Sequence, residues 1–394
     1  MVESSPRWIW QSSAWPPLAF DSGAIGTSLS RARSELGKLM GKAEAVGAAD
    51  MSLTERDIWT HDALATSAIE GEVLNLDAVR SSVARRLGIA TIFTAAIPRN
   101  VEGLLDVMED AANEWNTELT EDRLYAWHTA LFPPGQVTMR PIDSGKFRTH
   151  QEPMQILSGP IGREKIHYEA PPSNEVPAQI SKFIDWFNKS RTDVATDGLV
   201  RAALAHLWFE SIHPFEDGNG RIGRAIMDIA ISQDAGRPFR LHGLSVELRR
   251  HQEHYYNALN RVQRIEDEPT AWLRWLIDTF CQSCQASSTL VDEALDRARF
   301  WSCHKNVALN ERQRKVLDKM LEAGPGRFTG GMTPRKHQSI TKAASATATR
   351  DLTELVEKGL MVRRGAGRST HYELALEGWQ WQPEGEIDTT KAHT

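Results

Sequence analysis

The sequence feature that most constrains the fold is a glycine-rich turn between two helical segments, within HPFEDGNGRIGR at residues 213–224. Apolar residues at helical spacing run from Leu199 to Ile212 and again from Gly220 to Gln233. Gly218 and Gly220 flank an asparagine where the two segments meet. Glycine permits backbone angles that turn successive N–H groups into one concavity, and the N-terminus of the second helix adds partial positive charge. The sequence therefore predicts two helices joined by a turn that can hold an anion of phosphate size.

The other side chains of this stretch suit nucleotide chemistry. Arg221 and Arg224 are three residues apart on one face of the second helix, and guanidinium groups match phosphate oxygens. Asp217 offers a hard oxygen ligand beside the anion site, which favours Mg²⁺. His213, with an ordinary pKa near 6.5, suits a general base for an attacking hydroxyl. Each residue alone has an ordinary structural explanation, so the prediction of a site depends on their combination. The spacing is not that of a P-loop, which disfavours a standard ATPase.

The stretch resembles the signature of the Fic family, HxFx[DE]GNGRxxR. The resemblance implies a mainly α fold with a Fic-type helical core and a β-hairpin flap. It also implies a protein adenylyltransferase, which transfers AMP from ATP to a Ser, Thr or Tyr hydroxyl with Mg²⁺ and releases pyrophosphate. His213 would then be the catalytic base, Asp217 the metal ligand and Arg224 the residue that positions the γ-phosphate. The eight positions that match the signature are His213, Phe215, Asp217, Gly218, Asn219, Gly220, Arg221 and Arg224.

The same resemblance leaves alternatives open. Related cores transfer other phosphate-containing groups or remove AMP. The target protein is not identified by the sequence, and the chain itself is one candidate. A homodimer is a further expectation from the family. The nucleotide-binding residues that the resemblance implies are Gly218, Asn219, Gly220, Arg221 and Arg224.

A second informative stretch lies earlier, where a helical pattern starts at a predicted capping box, 52–55 (SLTE), and ends near Gly71. It places Glu70 in the last turn, where the helix dipole disfavours a carboxylate unless a cation lies opposite. Taken alone, Glu70 is better explained as a solvated surface charge. The segment also resembles the inhibitory pattern [ST]xxxE[GN] of the Fic family, through Thr66, Glu70 and Gly71. The resemblance implies that Glu70 pairs with Arg224 and blocks the γ-phosphate.

Two short β-prone pieces, 155–157 and 165–168, flank the turn-rich residues 158–162 and predict a hairpin on a helical body. A purely structural excursion is the other interpretation. The resemblance implies that this hairpin is a flap that aligns the target chain, with Lys165, Ile166, His167 and Tyr168 at the target-binding strand.

The region from Leu309 to Leu376 predicts a separate domain, in which three helices and a hairpin follow the order of a winged helix-turn-helix. The hairpin carries Arg363, Arg364 and Arg368, whereas the whole chain has a net charge of −6. DNA binding is the functional interpretation and protein interaction the other. A DNA-binding regulator that uses the Fic core as a nucleotide sensor is therefore the main rival to the enzyme.

Composition bounds the remaining expectations. A 394-residue chain with 41% hydrophobic and 25% charged residues is typical of a globular protein of two or three domains. Three cysteines do not make a disulfide framework, which predicts a cytoplasmic protein, and no apolar stretch reaches the length of a membrane span. Cys281 and Cys284 have a zinc-like spacing, but the uninterrupted helical pattern around them favours buried thiols. The predicted divisions are an N-terminal helical region (1–95) that resembles domains found ahead of Fic cores, the core (96–300), the winged helix (301–380) and a flexible tail (381–394).

Overall fold

The structure is a computed structural model that describes residues 7–89, 96–135, 142–159, 163–193 and 195–381. It consists of two compact units. The first takes residues 7–43 and 52–288, and the second takes 44–51 and 289–381. This division does not separate 1–95 from 96–300, and that boundary stays a prediction. In the described ranges, no helix combines the length and the apolar character that crossing a membrane requires.

The first unit is helical apart from one hairpin. Its core is built around α7, a helix on which every residue from Leu199 to Ile212 is buried. A helix without a polar face must be covered on all sides, and α8 packs along α7 while the indole of Trp272 donates a 2.9 Å hydrogen bond to the carbonyl of Ala203. The elements are α1 (Ser22–Ala45), α2 (Ala48–Ile69), α3 (Leu76–Arg86), α4 (Arg99–Asn113), α5 (Glu121–Leu131), β1 (Gln155–Ser158), β2 (Lys165–Glu169), α6 (Val176–Lys189), α7 (Gly198–Ile212), α8 (Asn219–Ala235), α9 (Leu244–Arg250), α10 (Gln252–Gln263) and α11 (Pro269–Cys303). The end of α1, the start of α2 and the end of α11 belong to the second unit.

Helix α2 begins earlier than the sequence predicts. The predicted capping box at 52–55 is wrong, because Met51 already donates its backbone N–H to the carbonyl of Gly47 over 3.0 Å and the helix begins at Ala48. Ser52 therefore lies inside the helix, where its N–H is not one of the free donors of a first turn. The other end of α2 is as predicted: it ends at Ile69, and Gly71 has a left-handed φ of 80° that closes the helix.

The hairpin β1–β2 is antiparallel, with a register shift between Ile156 and Leu157. Its second strand is fastened to the helical body from two sides. Trp10, from the N-terminal segment, donates its indole N–H to the carbonyl of Glu169 over 2.8 Å. Arg264, just after α10, donates from Nε to the carbonyl of His167 over 2.8 Å and from Nη2 to the carbonyl of Ile166. The hairpin is therefore held firmly along β2. The predicted helical core with a β-hairpin is confirmed.

The second unit contains α12 (Glu311–Ala323), α13 (Pro334–Thr341), α14 (Ser345–Glu357), β3 (Met361–Arg364) and β4 (His371–Leu374). Strands β3 and β4 pair antiparallel, and Met332 adds a bridge to Tyr372. The apolar faces of the helices and strands form one core that includes Val316, Leu352 and Leu360. The order of helices and hairpin is the one that the sequence predicts, and its assignment as a winged helix stays a prediction.

In α11, which is uninterrupted, Cys281 and Cys284 are both buried thiols.

Candidate active site

The turn between α7 and α8 is fixed by its own side chains. Asn219 closes the loop from inside, because its amide accepts from the backbone N–H of Phe215 and donates to the carbonyl of the same residue, both over 2.9 Å. Phe215 is fully buried. Gly218 has a φ of 81°, and a Cβ atom at that position would lie 2.8 Å from the ring of Phe132. Both backbone angle and space therefore require glycine at 218.

His213 ends α7 with a left-handed φ of 50°, which is uncommon for a residue other than glycine. Arg148 supports this geometry, since its Nε donates to the carbonyl of His213 over 2.8 Å and its backbone N–H to the carbonyl of Pro214 over 2.9 Å. Burial, with the nearby charge of Arg148, lowers the pKa of His213 to about 4. The imidazole is therefore neutral at physiological pH and free to accept a proton.

Arg224 lies beneath the turn and is held by α2. Its Nε donates to the hydroxyl of Thr66 over 2.7 Å, and its Nη2 donates to the carbonyl of Thr66 over 3.1 Å and to Oε1 of Glu70 over 2.8 Å. The side chain of Arg224 is 4% exposed and that of Glu70 is 24% exposed. The structure thus brings together the residues that the inhibitory pattern and the central motif contain, although they are over 150 positions apart in the chain.

Arg221 is also occupied by carboxylates. Its Nη1 lies 3.2 Å from Oε2 of Glu72, and its Nη2 lies 3.5 Å from Oδ1 of Asp217. Glu72 is fixed in turn by Asn100, which donates to its Oε1 over 2.7 Å. The sequence prediction missed Glu72. The only available signal was a second glutamate two positions after Glu70, and such a signal is not distinctive on its own.

Glu210 is a second residue that the sequence prediction missed. It lies on α7 one turn before His213, with Oε2 3.8 Å from Nδ1 of the imidazole. The side chain is buried, and Oε1 has no hydrogen-bond partner among the described residues. Burial and the neighbouring carboxylate of Glu70 raise the pKa of Glu210 to about 8. The available signal was an acidic residue within a largely apolar helix, which usually needs a buried partner or a function.

The motif opens onto a cavity of about 680 Å³, large enough for a nucleotide. The turn, the end of α2, helix α10 and the hairpin all contribute to its walls. Of the four predicted target-binding residues, His167 lines the cavity. Its Nε2 lies 2.5 Å from Oγ of Ser158 on the neighbouring strand, within hydrogen-bond distance. The residues at the chemical end of the cavity are Glu70, Glu210, His213, Glu216, Asp217, Gly218, Asn219 and Gly220.

The side chain of Tyr168 faces the protein interior, so it is not available to bind a target. It is fully buried, and its hydroxyl donates to the carbonyl of Ser211 over 2.6 Å. The ring also packs edge-on against Trp8, with 5.6 Å between centroids. Side chains alternate along a strand, and the alternation directs Tyr168 inward. Any contact of this residue with a target is therefore restricted to its backbone.

Asp217 fits the role of a magnesium ligand. Its side chain is 52% exposed, and it lines the cavity beside the positive end of α8. Mg²⁺ takes one or two protein carboxylates and completes its shell with water and phosphate oxygens. In the part of the chain that the structure describes, no group of three or more His, Cys, Asp or Glu residues is arranged to hold a metal by itself. The donor set thus suits a metal that arrives with a phosphate ligand.

Comparison with known proteins agrees with this geometry. Residues 118–231 match the Fic/DOC family, and residues 8–89 match a family described as a domain of unknown function, DUF4172. Protein adenylyltransferase fic-1 of Caenorhabditis briggsae is 32% identical over 98 residues, which are 25% of this chain and 17% of that protein. A probable protein adenylyltransferase of Aquifex aeolicus (strain VF5) is 30% identical over 96 residues, 24% of this chain and 27% of that protein.

These curated relatives are therefore matched over little more than a quarter of their own length at most. A solved structure gives broader coverage of the fold. The crystal structure of a Fic family protein from Desulfovibrio desulfuricans G20 has a TM-score of 0.56 and 19% identity, and the match covers 91% of this chain and 98% of that one. At this identity the likeness concerns the fold alone.

Proposed function

Residues 118–231 match the Fic/DOC family, and from this premise we propose that the chain is a protein adenylyltransferase that transfers AMP from ATP to a Ser, Thr or Tyr hydroxyl of a protein. The observation that carries the proposal is the convergence of a neutral His213, the carboxylate of Asp217 and the turn Gly218–Gly220 on one nucleotide-sized cavity. The relatives named as adenylyltransferases support the same chemistry.

In this reaction His213 takes the proton of the target hydroxyl as its oxygen attacks the α-phosphorus of ATP. The new O–P bond forms while the bond from the α-phosphorus to the bridging oxygen breaks, and pyrophosphate leaves. Backbone N–H groups of Asn219 and Gly220 face the phosphates at the N-terminus of α8, whereas the N–H of Gly218 donates to Oδ1 of Asp217. Arg221 adds a guanidinium. Bound Mg²⁺ would neutralise phosphate charge, with Asp217 as its protein ligand.

Restraint by the N-terminal part of the chain belongs to the same proposal. Glu70 occupies the Nη2 atom of Arg224, which would otherwise bind the γ-phosphate. Thr66 accepts from both Nε and Nη2 of Arg224, so the arginine is already oriented when Glu70 leaves. Glu72 occupies Arg221 in a parallel way. Two carboxylates that follow α2 thus stand where phosphate oxygens would bind.

The hairpin supplies the proposed place for the target. The carbonyl groups of Ile166 and His167 on β2 are already taken by Arg264. Strand β1 is the other edge of this two-stranded sheet. An extended target segment would add to that edge through main-chain hydrogen bonds, next to the cavity that His213 lines. In this arrangement Lys165, Ile166 and His167 shape the hairpin from behind.

Transfer of label from ATP radiolabelled at the α-phosphate to protein tests the proposal. We expect His213→Ala to abolish labelling in a bacterial or eukaryotic lysate and in the purified chain, whereas the same variant still binds ATP. The mass added to the labelled protein identifies the group, and a mass other than that of AMP would favour a different phosphate-containing group. If the chain attaches no label to protein but removes label from a target that already carries AMP, the activity is AMP removal. Equal labelling by the native chain and by His213→Ala would overturn the proposal.

DNA binding by the second unit is a second candidate function. On α14 the exposed residues include Ser345, Thr349 and Arg350, and β3 carries the exposed Arg363 and Arg364. These side chains suit phosphate contacts. In the full chain, replacement of both Arg363 and Arg364 by Ala should weaken binding to any duplex and reduce its salt dependence by roughly one unit of slope for each lost phosphate contact. Binding that is absent at 50 mM salt would refute this function without affecting the first.

A further inference from the structure

Glu210 lines the catalytic cavity, and the proposed reaction gives it no role. Its Oε1 is buried and has no hydrogen-bond partner among the described residues. The same is true of Nη1 of Arg224, the one guanidinium nitrogen that neither Thr66 nor Glu70 contacts. A buried unpaired polar atom is costly, so two of opposite character near one cavity point to a group that is supplied from outside.

The two unpaired atoms flank one bare face of α8. A Cβ atom on Gly223 would lie 2.8 Å from Oε1 of Glu210, and one on Gly220 would lie 3.0 Å from Nη1 of Arg224. Gly220 and Gly223 are three positions apart and adjacent on the helix. A Cβ on Gly220 would also overlap the carboxylate of Glu70. The space over these glycines is therefore shared by the guanidinium and both carboxyl groups.

Departure of Glu70 frees one N–H of Nη2 of Arg224 beside the unpaired Nη1, while the other N–H of Nη2 stays on the carbonyl of Thr66. Two parallel N–H donors of one guanidinium match two oxygens of a phosphate. A phosphate at that position would also lie against Glu210. An ionised carboxylate would repel it, whereas a protonated carboxyl group would donate a hydrogen bond to it.

We propose that Glu210, in its protonated form, donates a hydrogen bond to the terminal phosphate that replaces Glu70 on Arg224. Glu210 is thus a nucleotide-positioning residue that favours a triphosphate over nucleotides with fewer phosphates. The inference depends on the proposed function, because it assigns ATP to this cavity.

The surroundings of Glu210 support a neutral carboxyl group. The pKa values of His206 and His213 are lowered to about 3 and about 4 by burial, so both rings are uncharged at pH 7. Burial raises the pKa of the Tyr255 and Tyr256 hydroxyls, which also stay neutral. Arg224 favours the carboxylate, and an incoming phosphate opposes it. The titratable groups that face Glu210 are Glu70 from α2, His206 and His213 from α7, Arg224 from α8, and Tyr255 and Tyr256 from α10.

The test measures nucleotide binding rather than turnover. The full chain carries His213→Ala to prevent reaction and Glu70→Ala to free Arg224, and the Kd values of ATP and AMP with Mg²⁺ are measured by calorimetry from pH 7 to pH 9. We expect the Kd of ATP to rise about tenfold over this range as Glu210 ionises. Glu210→Gln keeps a donor at every pH and should remove most of that rise. The Kd of AMP, which lacks the terminal phosphate, should be the same with Glu210 and with Glu210→Gln.

Three results would decide against the inference. The first is an equal rise in the Kd of ATP with pH in the Glu210 and Gln proteins. The second is an equal change in the Kd values of ATP and AMP on Glu210→Gln. The third is a change in turnover of the otherwise native chain on Glu210→Gln with no change in the pH dependence of ATP binding, which would assign Glu210 to the orientation of His213. If no variant binds ATP at any pH, the proposed function fails as well, and this outcome is distinct from the other three.

Discussion

Replacement of Glu70 by Ala is the perturbation that most directly tests the restraint on Arg224. The variant removes one charge-assisted hydrogen bond of 2.8 Å from a guanidinium whose side chain is only 4% exposed. Such a bond contributes about 1.5–3 kcal/mol. If that free energy opposes the binding of a γ-phosphate, its loss should strengthen ATP binding roughly 10- to 150-fold, because about 1.4 kcal/mol corresponds to a factor of ten.

The same substitution should make the protein less stable. Removal of one partner leaves Arg224 buried with only the neutral oxygens of Thr66 as acceptors. Breaking a buried ion pair costs about 3–5 kcal/mol, and the lower end applies because Glu70 is partly exposed. ATP should restore stability by mass action, so the thermal midpoint of the variant should respond more strongly to ATP than that of the native chain.

Glu55 offers a matched control on α2, the helix that Glu70 follows. It pairs with Arg240 over 3.2 Å, and its side chain is 26% exposed, close to the 24% of Glu70, but it does not line the cavity. Calorimetric Kd values for ATP and initial rates of label transfer are measured for Glu70→Ala and Glu55→Ala. Only Glu70→Ala should bind ATP more tightly and transfer label faster than the native chain. Equal gains would show that any loosening of α2 raises activity, and an unchanged Kd in Glu70→Ala would refute the reasoning.

Three further predictions concern the same region. Gln252→Ala removes the 2.9 Å hydrogen bond to the carbonyl of Ile69, where α2 ends, and should raise label transfer severalfold, less than the loss of Glu70; an unchanged rate would contradict this. Asn219→Ala leaves the N–H and carbonyl of Phe215 without partners and should lower the free energy of unfolding by about 2–4 kcal/mol in urea titrations. Glu210 holds a proton in the folded state between its unfolded pKa near 4.5 and its folded pKa of about 8. The free energy of unfolding therefore falls as pH rises through that window, by at most about 1.4 kcal/mol per pH unit. Glu210→Gln should flatten this slope, as measured by urea midpoints between pH 6 and pH 8.

The central turn could be predicted from sequence because its chemistry is local. Gly218 needs its left-handed backbone for a turn that is only a few residues long, and the flanking apolar periodicity fixes the direction of both helices. The pairing of Glu70 with Arg224 could not follow from spacing, since 154 positions separate them. It was suggested only by a family resemblance and by a carboxylate at a helix end that lacked a local cation.

Other features depend on packing that the sequence does not reveal. Tyr168 lies in a β-prone piece that was predicted correctly, but its inward direction depends on the register of β1 and β2 and on the position of Trp8. The early start of α2 depends on residues with no distinctive cap signal. Burial, together with the carboxylate of Glu70 that the end of α2 brings close, raises the pKa of Glu210.

The attachment of β2 to Trp10 has a practical consequence for the boundaries of any shortened protein. A chain that begins after the N-terminal segment would keep the whole central motif but lose the donor that covers the carbonyl of Glu169. The outer edge of β2 would then present an unpaired acceptor, and exposed edges of this kind recruit other strands. Such a fragment should bind ATP yet self-associate through its hairpin. Low solubility of a trimmed catalytic domain would therefore reflect an uncovered strand rather than a damaged active site.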